Sequence, residues 1–379
     1  MKDFDELISE HIRGLARYAP GKPIRQAERE SGVPCIKMAS NENPFGPSPK
    51  AVEAIRAAVA DANFYPDNDC AELRRALAER HQLQAEQVLV TDGSTALLDH
   101  IARTLLVPGL NAVTSERSFI VYPIVTQAAG GRLIEAPMRE HAFDLDAVLA
   151  ALDEKTRIVY LANPNNPTGT MFDAAATGRF LDRVPEHVLV VLDEAYCDFA
   201  AHFAAAQGIE YSHSLDYVRQ GRKVIVLRTF SKAHGLAGLR VGYGFGPPAL
   251  LQALARVRPA FSVSSVAEAG ALAAFGDAAH VQKAVENNAA EAPRLAQELA
   301  ALGLHPVPTC ANFLYLDVGE DSVAFARRMQ AEGIIVRALS AWGAPNAIRV
   351  TVGTPEHNRM FLAALKKALQ QAPVRKASP

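Results

Sequence analysis

Little in this chain is extreme, and each shortage excludes a class of function. Its 39 Lys and Arg nearly balance 41 Asp and Glu, for a formal charge of −2. No field of one sign is available to attract nucleic acid or an anionic bilayer. No apolar run approaches the roughly 18 residues that a membrane span needs. Met1 to Leu7 mixes charge with apolar residues and lacks the apolar core of a signal peptide, so a cytoplasmic location is expected. The cysteines Cys35, Cys70, Cys197 and Cys310 are scattered. None stands in a CxxC or Cys/His spacing, which argues against a metal site and against a disulfide framework. Repeats and low-complexity tracts are also missing.

What is present is an ordinary globular composition, 49% apolar and 21% charged over 379 residues, enough for two domains. From Pro49 onward, helix-like and strand-like segments alternate. Val52–Val59 and Ala71–Arg80 have helical patterns. Val88–Thr91, Arg157–Leu161, Val188–Leu192 and Lys223–Leu227 are short apolar runs that end in polar residues. This alternation predicts an α/β fold with a large, mostly parallel sheet sandwiched by helices. The pattern changes after about residue 275. A long helix from Ala278 towards Leu302 precedes strands at Asn312–Leu316, Ile334–Val336 and Ile348–Val352, a helix near 321–332 and a last helix from Pro355. The expected division is a large domain over 46–275 and a smaller α+β domain made of 1–45 plus 276–379. Within the N-terminal part, the proline-dense Ser40-Asn-Glu-Asn-Pro-Phe-Gly-Pro-Ser-Pro49 argues against regular structure.

Ligands in parallel sheets sit beyond the carboxyl ends of the strands, and the polar motifs fall there. Thr229-Phe-Ser-Lys-Ala-His-Gly-Leu-Ala-Gly-Leu-Arg240 sets Lys232 between hydroxyls and a glycine turn, with Arg240 eight positions on. A lysine that forms a Schiff base needs a partly desolvated amine. Thr229, Ser231 and Arg240 could hold the phosphate of an aldehyde cofactor. The combination points to pyridoxal 5′-phosphate. Asp92-Gly93-Ser94-Thr95 ends a strand and opens a helix, where free N–H groups and the helix dipole suit a phosphate. Asn166, in Asn163-Pro-Asn-Asn-Pro-Thr-Gly169, could donate to a phenolate oxygen. Asp193, in Val191-Leu-Asp-Glu-Ala-Tyr196, can keep a pyridine nitrogen protonated, and Tyr196 could bond the ring hydroxyl. Phe119 and Tyr122, in Ser118-Phe-Ile-Val-Tyr122, are candidates to stack on the ring. Taken singly, each motif has a plainer reading as a cap, a turn, a strand-end acid or core packing. Their joint order along the strands decides the matter.

With those residues in place, the chain resembles the fold-type I pyridoxal-phosphate-dependent aminotransferases, and within them the histidinol-phosphate aminotransferase family, over nearly its whole length. The resemblance implies Lys232 as the Schiff-base lysine and proton shuttle, Asp193 on the pyridine nitrogen, and Asn166 and Tyr196 on the ring oxygen. It places the phosphate among Gly93, the Ser94 and Thr95 backbone, Thr229, Ser231 and Arg240. It implies a homodimer with shared sites, in which Tyr65 reaches the cofactor phosphate of the neighbouring subunit. Tyr18, Asn43, Arg337 and Arg349 would hold the substrate, the arginines gripping its anionic end with their bidentate forks. The chain departs from the family pattern at Thr95 and Ala96, where acidic residues are frequent, at Phe119 for tyrosine, and at His234 for phenylalanine. The implied substrates are L-histidinol phosphate and 2-oxoglutarate. An aromatic amino acid aminotransferase and, further off, a decarboxylase of a phosphorylated amino acid stay open, because the same arginines could serve a carboxylate. A cofactor-sensing transcription regulator would need a DNA-binding module, for which the first ~45 residues are too few.

Overall fold

The computed structural model describes residues 5–17 and 20–371. Its largest element is a seven-stranded sheet of Val88–Thr91 (β1), Asn111–Ser115 (β2), Arg132–Ala136 (β3), Thr156–Ala162 (β4), Leu189–Asp193 (β5), Val224–Thr229 (β6) and Gly242–Phe245 (β7). The order across the sheet is β1-β7-β6-β5-β4-β2-β3. Strands β6, β5, β4, β2 and β3 are parallel neighbours, whereas β7 runs antiparallel to both β1 and β6. The fold is the expected α/β arrangement, with helices flanking a mostly parallel sheet. Strands β1 and β5 are buried along their entire length, which is why they read as unbroken apolar runs.

Three strands were not visible as such runs. Strand β2 is half polar, β3 is a partly exposed edge, and β7 reads Gly-Tyr-Gly-Phe. The glycine at the start of β7 has a spatial reason. A Cβ on Gly242 would stand 2.3 Å from the backbone nitrogen of Ser94. Its absence lets the helix Ser94–Leu105 begin directly against the strand.

Local chemistry sets several helix starts. The Ser48 hydroxyl accepts from the Ala51 N–H at 3.1 Å and a proline follows, opening Pro49–Ala58. Thr354 caps Pro355–Gln370 in the same way, accepting from His357 at 3.2 Å.

The C-terminal third carries its own antiparallel sheet, Phe313–Asp317 (β8), Arg337–Ala338 (β9) and Ala347–Thr351 (β10), in the order β8-β10-β9. Ala278–Ala301, Ser322–Ala331 and Pro355–Gln370 are its principal helices. The N-terminal stretch joins this part: Ile36–Lys37 pairs in parallel with Ile334–Ile335. One apolar core lies around the large sheet and a second around β8 and β10, with Met38, Leu299, Phe325 and Phe361 among its members. A small cluster that includes Tyr196, Ala233, Val285 and Phe313 packs between them. Among the described residues, no helix is long and apolar enough to cross a membrane.

Candidate active site

The carboxyl ends of β4, β5 and β6, the start of Ser94–Leu105, the irregular segment 40–42 and the small sheet enclose a cavity of about 240 Å³. Lys232 enters it from the turn after β6. Its Nζ donates to the Ser40 carbonyl at 3.0 Å and lies 5.6 Å from the Tyr196 ring centre. Burial, then the nearby charge of Arg349 and Arg240, lowers this amine to about 7, against the opposing pull of Glu42 and Asp193. A large fraction is therefore neutral at physiological pH, the form a nucleophile or base requires.

Asp193 is the last residue of β5 and is buried. The Tyr122 hydroxyl donates to its Oδ2 at 2.9 Å, and the Ala195 N–H to its Oδ1 at 3.3 Å. Burial pushes the carboxyl up to about 6, while those two donors act the other way. Tyr196 follows three residues later, and its hydroxyl accepts from Asn41 Nδ2 at 2.8 Å. Asn166 Oδ1 accepts from Arg349 Nη1, which leaves the donor end of the amide for a ligand oxygen.

A phosphate cradle lies at one end. Gly93 has φ +105°, and a Cβ there would stand 2.6 Å from Arg240 Nη2, so only glycine lets the guanidinium close over the start of the helix. Ser94 and Thr95 line the cavity beside it. Arg240 Nη1 reaches Ser231 Oγ at 3.4 Å, and the Ser231 N–H donates to Thr229 Oγ1 at 3.1 Å. Helix-terminal N–H groups, two hydroxyls and an arginine make a suitable set for a phosphate dianion. With a depressed lysine, a buried carboxylate and an amide donor in the same cavity, these residues fit pyridoxal 5′-phosphate. Phe119 also lines the cavity, edge-on to Tyr122 at 5.6 Å.

The opposite end belongs to the small sheet. Arg337 and Arg349 are register partners on β9 and β10, and both line the cavity. Like charges directly opposite each other on one sheet face repel, so the pair suits an anion. Arg349 is buried and also donates to the Ala39 carbonyl at 2.9 Å. The Arg337 guanidinium lies 5.7 Å from the ring of Trp342, the single tryptophan of the chain.

Two expected site residues lie away from the cavity. Asn43 donates to the Ala233 carbonyl at 2.7 Å and accepts from the Phe45 N–H at 2.9 Å. Both ends of its amide are engaged by protein, so it ties the 40s segment to the lysine turn and does not line the cavity. Tyr65 is 84% exposed and stacks on Phe261 at 4.8 Å, away from the cavity of its own chain. Tyr18 lies outside the described residues. His234 is buried edge-on against Phe230 at 4.8 Å, its Nδ1 has no hydrogen-bond partner among the described residues, and burial lowers its pKa. It stays neutral and packed.

Four polar or aromatic lining residues went unnoticed in the sequence: Ser40, Asn41, Glu42 and Trp342. The first three lie in a proline-dense segment that gave no strand or helix to place them. Their polar run directly after Met38-Ala39 was the available signal.

The sequence profile of the family "Aminotransferase class I and II" matches residues 33–365. Histidinol-phosphate aminotransferase 2 of Pseudomonas aeruginosa is 46% identical over 374 residues, 97% of this chain and 99% of that protein. Histidinol-phosphate aminotransferase of Moorella thermoacetica is 44% identical over 362 residues, covering 95% of this chain and 92% of the relative. The crystal structure of histidinol-phosphate aminotransferase from Sinorhizobium meliloti in complex with pyridoxal-5′-phosphate superposes with a TM-score of 0.87 at 30% identity, covering 97% and 99% of the two chains.

Proposed function

The chain belongs to the class I and II aminotransferases, and we propose that it interconverts L-histidinol phosphate plus 2-oxoglutarate with imidazole acetol phosphate plus L-glutamate, in histidine biosynthesis in the cytoplasm. The observation that carries the substrate is the register pairing of Arg337 with Arg349 in the cavity that holds Lys232. Two opposed guanidiniums are matched by a phosphate dianion in one half-reaction and by the distal carboxylate of 2-oxoglutarate in the other.

Pyridoxal 5′-phosphate, when bound, supplies a carbonyl for the amino group and a protonated ring that withdraws electrons from the α-carbon. Lys232 would hold the cofactor, and its Nζ would take the substrate's α-proton and pass it on. Asp193 holds the proton on the ring nitrogen. Asn166 and Tyr196 orient the ring oxygen, and Phe119 covers one ring face. The N–H groups of Ser94 and Thr95, over Gly93, share the cofactor phosphate with Thr229, Ser231 and Arg240.

The protein acts as a homodimer with shared sites. Tyr65 projects from its own surface because its work is in the neighbour, where it completes the phosphate contacts. The chain divides functionally into a large part, 46–275, that supplies the chemistry, and a small part, 1–45 plus 276–379, that supplies the substrate grip.

Paired kcat/KM values with 2-oxoglutarate, for L-histidinol phosphate and L-phenylalanine, test the substrate. A preference of several orders of magnitude for the phosphate ester is expected. Equal values, or a preference for phenylalanine, would instead make this an aromatic aminotransferase.

A further inference from the structure

Tyr122 was a candidate for stacking on the ring, but its phenol points elsewhere. It sits in the first turn of Val121–Ala128 and is fully buried. Its ring lies parallel to that of Tyr160, at 4.7 Å between centres and 5° between planes, and Phe119 meets it edge-on. These contacts allow the ring little rotation. Its hydroxyl donates to Asp193 Oδ2 at 2.9 Å, while the Ala195 N–H holds Oδ1. A phenylalanine would fill the same space, so the hydroxyl is the informative part of this residue.

We infer that Tyr122 is a positioning residue of the transamination site: its hydroxyl fixes the Asp193 carboxylate in orientation and keeps it charged for the ring nitrogen of the cofactor. The inference rests on the pyridoxal-phosphate reading above. A buried carboxylate held by a single backbone N–H would take up a proton more readily. As a neutral acid it would no longer stabilise a positive ring nitrogen. Burial and the Asp193 charge hold the Tyr122 phenol well above its ordinary range, so it remains a donor at every working pH. Tyr122 is not among the residues lining the cavity. It acts through Asp193.

The test loads wild type and Tyr122→Phe with two probes, pyridoxal 5′-phosphate and its 1-deaza analogue, in which a C–H replaces the ring nitrogen. With the natural cofactor, the variant should retain it about ten- to hundredfold less tightly and lose a similar factor in kcat, as expected for one hydrogen bond to a charged group. KM for the amine should change little. The pH midpoint of the cofactor's visible band should move upward, because a less protonated ring withdraws charge less strongly. With the deaza analogue, wild type and variant should bind equally. Equal losses with both probes would reduce Tyr122 to a structural residue, and no loss with either would remove it from the site. A second measurement covers poor folding of the variant: in an Asp193→Asn background, adding Tyr122→Phe should have no further effect on retention, and an undiminished effect there overturns the inference. A wild-type protein that captures neither probe would mark failure of the cofactor reading itself.

Discussion

The two sheets meet the cavity in opposite ways. The large sheet presents its strand ends: Asp193 closes β5, and Thr229 closes β6 just before Lys232. The small sheet presents a face: Arg349 lies in the middle of the fully buried β10, opposite Arg337 on β9. A strand end delivers a group to a point in space along with its backbone N–H and C=O groups. A strand face delivers it only in the correct register, because a shift of one residue turns every side chain to the other side. On the proposed reading, the chemistry is anchored at parallel strand ends. The grip on the substrate's anion is anchored on a short antiparallel ladder, which can change without moving Lys232.

The largest effect should come from the chemical side. Lys232→Ala should lower turnover by at least about 10⁴-fold, since nucleophile and proton shuttle go together. Cofactor should still be captured, without the covalent link. Single-turnover absorbance measures this directly, and near-normal turnover would remove Lys232 from its role.

On the selecting side, Arg349→Gln should cut kcat/KM for L-histidinol phosphate about 10²- to 10³-fold, as expected for loss of a buried charged contact. Any reaction of L-histidinol, which lacks the phosphate, should fall much less. An equal loss for both substrates would mean that Arg349 serves the chemistry and would erase the distinction between the sheets.

The smallest effect links the two. Capture of cofactor by the apo-protein should rise with pH up to about 7 and level off above it, following the neutral fraction of Lys232. Arg349→Gln removes one of the charges that depress this amine, so its midpoint should move to higher pH; a stopped-flow pH series reads the shift. The sign for stability agrees. The unfolded chain keeps this proton to higher pH than the native one, so the stability cost of burying this amine is full below about 7 and shrinks as pH rises until the unfolded amine also titrates.

Much of this was legible beforehand for one reason: buried parallel strands are continuous apolar runs, and their polar sequels mark the site. Asp193, Asn166 and Lys232 all follow such runs. Strand β7 was not legible, because its glycines serve a close approach to the Ser94 helix and leave no hydrophobic pattern. Asn41 was hidden for a different reason. Its amide reaches Tyr196, and its N–H bonds Thr351 Oγ1 at 2.9 Å, 310 positions away. No local pattern encodes a contact of that span. Asn43, which the resemblance assigned to the substrate, turns its amide to the Ala233 carbonyl and the Phe45 N–H instead.

That long-range tie also orders events in time. As the chain leaves the ribosome, every residue proposed for the cofactor has appeared once Arg240 is made. The segment that receives Lys232, Ala39 to Asn41, has partners in Tyr196 and Lys232 by then, but its ties to Arg349 and Thr351 wait until those residues emerge, on the order of ten seconds of synthesis later. A nascent chain of this protein thus carries Lys232 well before it carries the paired arginines of the small sheet.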